Sequence, residues 1–296
     1  MKGLTRSFSP PSPAARPLGV LDSGVGGLSV LREIRAQRPT EHIIYLADQA
    51  HVPYGPRSIE EVRAFTVEAA RFLIDQGAKL VVVACNTASA AALYHLRERF
   101  PDMPFVGMEP AVKPAARDTQ TGVIGVIATE ATFQGELYAS VVGRFAQGVN
   151  VETRACPEFV RLAEAGETDT PVARTAVQRC LAPLLEAGID QLVLGCTHFP
   201  FLKDAIQAAI GPGVTIVDPS PAVARQVGRV LAERALLADG TDPGHVIYYT
   251  SGDPVAFRKT LAALLGAEIA DSADVRAARW MADDGRLIAT SRVPKA

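Results

Sequence analysis

The chain has 296 residues, 48% hydrophobic and 21% charged, with a formal net charge of -2. That composition suits ordinary globular cores and has room for two domains. It argues against the basic footprint of a nucleic-acid binder, and no apolar run reaches membrane-span length, so neither nucleic acid nor membrane is an expected partner. There are four cysteines, Cys85, Cys156, Cys180 and Cys196, with no Cys-x-x-Cys and no zinc-like spacing. Such sparse use fits a reducing cytoplasm, and Cys180, inside an expected helix, reads as core filling.

Residues 1–17 are rich in Ser and Pro and lack a signal-peptide apolar region, so they are expected to form a disordered tail. A short strand over 18–21 runs into the glycine-rich turn Asp22-Ser23-Gly24-Val25-Gly26-Gly27, and Leu28, Leu31 and Ile34 then show helical spacing. A strand over 42–47 precedes a loop, His51-Val52-Pro53-Tyr54-Gly55-Pro56, whose prolines exclude a strand or helix interior. Ser58 and Glu61 form a capping box that opens a long helix, which Gly77 closes.

The next strand, Leu80-Val81-Val82-Val83, is apolar throughout and ends in Ala84-Cys85-Asn86-Thr87, followed at once by a helix over 88–100. Uninterrupted β-branched residues suit a parallel strand covered on both faces. With a strand over 105–108 the pattern is β-α-β-α-β-α-β, a doubly wound α/β arrangement.

A second round follows. A strand over 122–128 ends in Thr129 and Thr132, which can cap a helix. A strand over 150–155 leads into a short helix with Phe159, Leu162 and Glu164. Thr170 and Pro171 open another helix, which Pro183 is expected to kink or split. The strand Gln191-Leu192-Val193-Leu194 ends in Gly195-Cys196-Thr197-His198. After a strand over 214–217, a helix over 222–237, a strand over 246–249 and a helix over 255–265 can return to the first sheet. The tail from about residue 270, with the single tryptophan Trp280, shows no clear period.

The spacing from Asp22 to Cys85 nearly matches that from Thr129 to Cys196. Two pseudo-symmetric lobes with mainly parallel sheets are therefore expected, with the site in the cleft between them. The first would comprise 18–109 plus about 221–268, and the second 110–220, leaving 269–296 as an extension without assigned role. Ligands of open α/β sheets bind at the carboxyl ends of strands. There the helix amino end also favours a thiolate.

A lone strand-end cysteine is most simply packing. Two in matched polar contexts point to chemistry. Removing a proton from a carbon beside a carboxylate and returning one to the opposite face inverts that centre, and needs two acid/base groups in opposite protonation states. Thiols tuned by their surroundings can serve as either. Ser23, Asn86, Thr87, Thr129, Thr132 and Thr197 can hydrogen-bond an amino-acid ligand, and Asp22 can accept from its ammonium group. No lysine lies at a strand tip to form a Schiff base.

The segments Leu21-Asp22-Ser23-Gly24-Val25-Gly26-Gly27-Leu28, Pro53-Tyr54-Gly55, Ala84-Cys85-Asn86-Thr87-Ala88 and Leu194-Gly195-Cys196-Thr197-His198-Phe199-Pro200 together resemble glutamate racemase, of the aspartate/glutamate racemase superfamily. The likeness spans about 18–266. It implies a cytoplasmic, cofactor-independent enzyme that supplies D-glutamate for peptidoglycan, with a homodimer left open. By that likeness Cys85 would take the proton from D-glutamate and Cys196 from L-glutamate, with Asp22, Glu164 and His198 assisting. Asp22, Ser23, Tyr54, Gly55, Asn86, Thr87, Thr197 and His198 would form the substrate site. The match around Glu164 is the loosest of these.

Two other classes stand beside this reading. A one-nucleophile thiol hydrolase or decarboxylase would need only one of the two cysteines, and a binding protein would not exchange the α-hydrogen. The glycine turn with Asp48 after the next strand also imitates a dinucleotide fingerprint. Its third small residue is Ser29, and Asp22 would set a negative charge beside the pyrophosphate, so that meaning is disfavoured.

Overall fold

A computed structural model describes residues 12–290. The first round of elements is β1 (Leu18–Asp22), α1 (Leu28–Gln37), β2 (Ile43–Ala47), α2 (Ile59–Asp75), β3 (Leu80–Val83), α3 (Asn86–Arg99) and β4 (Phe105–Val106). After α4 (Val112–Asp118) the second round is β5 (Val123–Ala128), α5 (Glu130–Gln134), α6 (Glu136–Phe145), β6 (Asn150–Ala155), α7 (Pro157–Ala165), α8 (Pro171–Glu186), β7 (Gln191–Leu194), α9 (Lys203–Ile210) and β8 (Thr215–Val217). The chain closes with α10 (Ser220–Glu233), β9 (Val246–Thr250), α11 (Pro254–Leu265), α12 (Ala267–Ser272), β10 (Asp274–Trp280) and β11 (Leu287–Ala289).

Two sheets result, ordered β11-β10-β9-β2-β1-β3-β4 and β6-β5-β7-β8. The run β2-β1-β3-β4 is repeated strand for strand by β6-β5-β7-β8, and every pairing within both runs is parallel. The expected duplication is therefore present at the level of topology. Cys85 follows β3, and Cys196 follows β7, at equivalent tips. In each lobe the strand order reverses beside the first strand, which is where such sheets bind ligands.

Alternate residues of each central strand enter opposite cores, as the two-residue strand period requires. Leu80 and Val82 pack with α1, α10 and α11, whereas Val81, Val83 and Cys85 pack with α2 and α3. In the second lobe Leu192, Leu194 and Cys196 share one cluster, and Val193 faces the other. The capping box at α2 is formed: the Glu61 N–H donates to Ser58 Oγ at 3.2 Å and Ser58 N–H to Glu61 Oε2 at 3.1 Å.

Several expectations are corrected. α8 is not split at Pro183 but continues through it; Pro183 and Arg179, whose carbonyl loses its helical donor, are both exposed, so water can satisfy that oxygen. Cys156 and Cys180 are not separate thiols but form a disulfide between the start of α7 and α8. Residues 1–11 of the expected disordered head lie outside the described residues. The rest of it is ordered: Pro13–Ala15 is a short 3-10 turn, and Ala14 O accepts from Lys79 Nζ at 2.6 Å. Lys79 is buried beside Glu41 at 2.6 Å. The extra acceptor helps satisfy a desolvated ammonium, which is costly otherwise.

The C-terminal stretch also has a place. β10 adds parallel to β9, and β11 pairs antiparallel with β10, extending the first sheet. Among the described residues, no helix is long and apolar enough to cross a membrane.

Candidate active site

The strand tips of the two lobes face one another, and the sequence-selected residues gather between them. Cys85 is the N-cap of α3: its sulphur accepts from the Ala88 N–H at 3.5 Å and lies 3.8 Å from Ser23 Oγ. Cys196 sits at the end of β7, its sulphur 3.6 Å from His198 Nδ1. Both cysteines are free and buried. Asp22, at the end of β1, accepts from the Gly24 N–H at 2.8 Å and, across the cleft, from Thr197 Oγ1 at 3.2 Å.

Glu164 reaches in from α7. Its Oε1 accepts from the Val25 N–H at 2.8 Å and lies 2.7 Å from His198 Nε2; Oε2 accepts from Gln49 Nε2 at 3.0 Å. Residue 164 had the loosest sequence support, yet it touches the glycine turn, the end of β2 and His198. The turn glycines owe their size to this approach. A Cβ on Gly24 would overlap the Glu164 carboxylate, and one on Gly26 would lie 2.5 Å from His198 Nδ1. The turn that imitates a phosphate-binding loop instead makes room for side chains of the opposite lobe.

Thr87, Thr129 and Thr132 form a second cross-cleft cluster, with Thr87 Oγ1 2.9 Å from Thr129 Oγ1 and 3.3 Å from Thr132 Oγ1. Gly55 abuts Thr129, which an added Cβ would meet at 3.1 Å. The Tyr54 hydroxyl is committed to Asp48 Oδ2 at 2.7 Å. Asn86 is different from all of these. It is 2% exposed, and both polar atoms of its amide are buried without a protein partner. Orphaned polar groups cost about 1–3 kcal/mol each, so a buried amide with none of its bonds made marks a place for a polar ligand.

The electrostatics of the two thiols differ. Burial pushes the Cys85 thiol up, and the negative charge of Asp22 and then of Cys196 pushes it further. The two sulphurs are thus near enough for charge on one to oppose charge on the other. Burial also raises Asp22, and the neighbouring His198 only partly offsets it. His198 is pushed down by burial, but its bonds to Cys196 and Glu164 outweigh that and hold it well above its ordinary value of 6.5. Glu164 shows the complement: burial raises it, and His198, Val25 and Gln49 bring it below its ordinary 4.5. One cysteine therefore faces a charged imidazole, and the other faces a hydroxyl and a carboxyl group.

The sequence does not single out Gln49, and it offers Asp48 only as part of an imitation dinucleotide fingerprint. Asp48 lies just beyond a strand end, and that position was its available signal. Gln49 had none, because its partners lie far along the chain.

Residues 20–227 match the Asp/Glu/Hydantoin racemase family. The glutamate racemase of Roseiflexus sp. (strain RS-1) is 51% identical over 245 residues, covering 82% of this chain and 90% of its own. The Escherichia coli glutamate racemase structure, with L-glutamate and the activator UDP-MurNAc-ala, superposes with a TM-score of 0.77 at 33% identity, covering 93% of this chain and all of its own. That of Francisella tularensis, with D-glutamate, gives 0.75 at 30% identity, covering 86% and 94%. The chain belongs to the Asp/Glu/Hydantoin racemase family.

Proposed function

We propose that the protein is a two-base amino-acid racemase whose acid and base are Cys85 and Cys196, and that its substrate is glutamate, interconverted between the L and D forms. The observation that carries the reading is the pair of free, buried cysteines at equivalent tips of a repeated sheet, with the unpartnered Asn86 amide next in the chain after Cys85.

In the L-to-D direction the Cys196 thiolate removes the α-hydrogen as a proton, leaving the electron pair on the α-carbon. The Cys85 thiol delivers its proton to the opposite face, which leaves Cys196 as thiol and Cys85 as thiolate. The reverse reaction runs through the same groups with roles exchanged. The resting charges support this division. The charged His198 imidazole lies beside the Cys196 sulphur, while burial keeps Cys85 protonated.

Asn86 and the backbone N–H groups at the strand tips suit the substrate carboxylates. Ser23, Tyr54, Gly55, Thr87, Thr129, Thr132 and Thr197 complete the walls, and Asp22 suits the ammonium group. The scheme draws on side chains alone and assigns no step to a cofactor. The D-glutamate would serve peptidoglycan synthesis in the cytoplasm. The Cys156–Cys180 bond runs against the usual redox state of that compartment, so a thiol count on protein taken directly from cells tests the location.

The test is L-glutamate in D2O without added pyridoxal phosphate or metal. D-Glutamate should accumulate with deuterium at the α-carbon. Cys85→Ser and Cys196→Ser should each suppress racemisation by roughly 100-fold or more. Near wild-type turnover by either variant would defeat the two-thiol scheme.

A further inference from the structure

A line of hydrogen bonds runs from the first lobe to the Cys196 sulphur. Thr250 Oγ1, at the end of β9, accepts from the Gly252 N–H at 3.0 Å and donates to Gln49 Oε1 at 2.8 Å. Gln49 Nε2 then donates to Glu164 Oε2 at 3.0 Å. Glu164 Oε1 pairs with His198 Nε2 at 2.7 Å, and His198 Nδ1 faces the Cys196 sulphur at 3.6 Å. Thr250 is fully buried, and Gln49 is half-buried.

The direction of every bond follows from its neighbours. Only an N–H can face the Glu164 carboxylate, so the Gln49 amide nitrogen points there. Its carbonyl oxygen is then left to accept the Thr250 hydroxyl proton, while that hydroxyl accepts from Gly252. The Glu164 carboxylate now has donors from Val25 and Gln49 and no proton of its own to give. His198 Nε2 must therefore carry a hydrogen. The remaining ring nitrogen, Nδ1, is left to exchange a proton with Cys196 and with nothing else. A flipped Gln49 amide would set its oxygen against the carboxylate, and the sequence of donors would break at that point.

We propose that Gln49, backed by Thr250, is a positioning residue that fixes the Glu164 carboxylate and, through it, presents His198 Nδ1 to the Cys196 sulphur. Gln49 makes no contact with either sulphur and acts through two intervening side chains. It lies just after β2 in the first lobe, whereas Glu164, His198 and Cys196 belong to the second, so the proton-handling side chain of one lobe is set by the other. The other charged group facing His198 is Asp22, from the end of β1, whose own hydrogen bonds to Gly24 and Thr197 do not involve Gln49. This inference rests on the two-thiol reading, and its test separates the two.

The test uses full-length protein carrying Gln49→Leu, with Thr250→Val as a second variant that touches neither Glu164 nor His198. Ultraviolet thiolate absorbance is titrated with pH in the Cys85→Ser background, where Cys196 is the remaining active-site thiol. The midpoint should move upward in Gln49→Leu and by a smaller amount in Thr250→Val. In the Cys85-containing protein kcat should fall roughly tenfold for Gln49→Leu with KM little changed. Gln49→Glu, which sets a second carboxylate against Glu164, should fall further. An unchanged midpoint with kcat near wild type in Gln49→Leu, or a loss confined to melting temperature, overturns the inference. Racemisation that survives Cys85→Ser and Cys196→Ser overturns the underlying reading instead, whatever the titration shows.

Discussion

Trp280 donates its indole N–H to Asp48 Oδ1 at 2.7 Å, joining β10 to the end of β2 across 232 positions of sequence. Asp48 is fully buried and also takes the Tyr54 hydroxyl at 2.7 Å, Ser251 Oγ at 2.7 Å and His51 Nδ1 at 2.8 Å. The loop that carries Tyr54 and Gly55 towards Thr129 is therefore tied to one carboxyl group, and β10 supplies one of that group's four side-chain partners. The ring of Trp280 also packs edge-on against His51 and Phe65, with centroids 4.8 and 5.8 Å apart.

Trp280→Phe preserves most of that ring packing and deletes the donor. Stability should drop by about 1–3 kcal/mol, the range for hydrogen bonds to charged or buried groups. The KM for glutamate should rise several-fold while kcat holds, because the loop rather than the sulphurs is released. Denaturant unfolding with steady-state kinetics checks both; an unaltered KM would show that the loop is held without this bond.

Glu164→Gln removes the carboxylate that, after the contact to Cys196, holds His198 above its ordinary value. The His198 contribution to stability, from a raised value, is complete below its ordinary 6.5 and fades as pH rises through the folded value. The Glu164 contribution, from a lowered value, is complete above 4.5 and fades as pH falls through the folded value. The stability gap between wild type and variant should be widest between those two ordinary values and narrow on either side. Urea unfolding over a pH series measures it, and a gap independent of pH would refute the ion pair.

Gly24→Ala pushes a methyl group into the Glu164 carboxylate. Because the neighbour is the far end of a side chain, the fold should survive with a loss of about 1–3 kcal/mol. Turnover should fall on the order of 100-fold, the scale set by small misplacements of catalytic groups. A Gly24→Ala enzyme with normal turnover would show that the carboxylate need not sit where it does.

The Cys156–Cys180 bond closes a loop with a sequence separation of 24. Cys156→Ala should cost about 2–4 kcal/mol in oxidised protein, and a reductant should abolish the difference from wild type. Under denaturing, non-reducing conditions two thiols should react, those of Cys85 and Cys196. Four reactive thiols without reductant would show that the bond does not form.

Much of the candidate site is legible in the sequence. Leu80 to Val83 and Gln191 to Leu194 announce strands by their unbroken apolar runs, and the polar residues after them fall at the tips because strands stop there. Pattern fails where contacts depend on distant partners. Gln49 meets Glu164 across 115 positions, and no local period marks it. β10, Asp-Val-Arg-Ala-Ala-Arg-Trp, has neither alternation nor an apolar run, since it lies towards the edge of the sheet and buries few of its side chains. The disulfide was equally hidden: two cysteines on different elements carry no spacing that distinguishes a bond from separate packing.

The support behind the two sulphurs is lopsided, with imidazole and carboxylate behind one and hydroxyl and carboxyl beside the other. Mirror-image molecules have equal free energies in water, so their specificity constants must be equal however uneven the machinery. In the proposed scheme the unevenness acts on the idle enzyme. It biases the resting population towards the form that receives the left-handed isomer, and leaves the mismatched form waiting on a proton exchange that involves no substrate. At saturation, the pace in one direction would then be set by how quickly the empty enzyme resets itself.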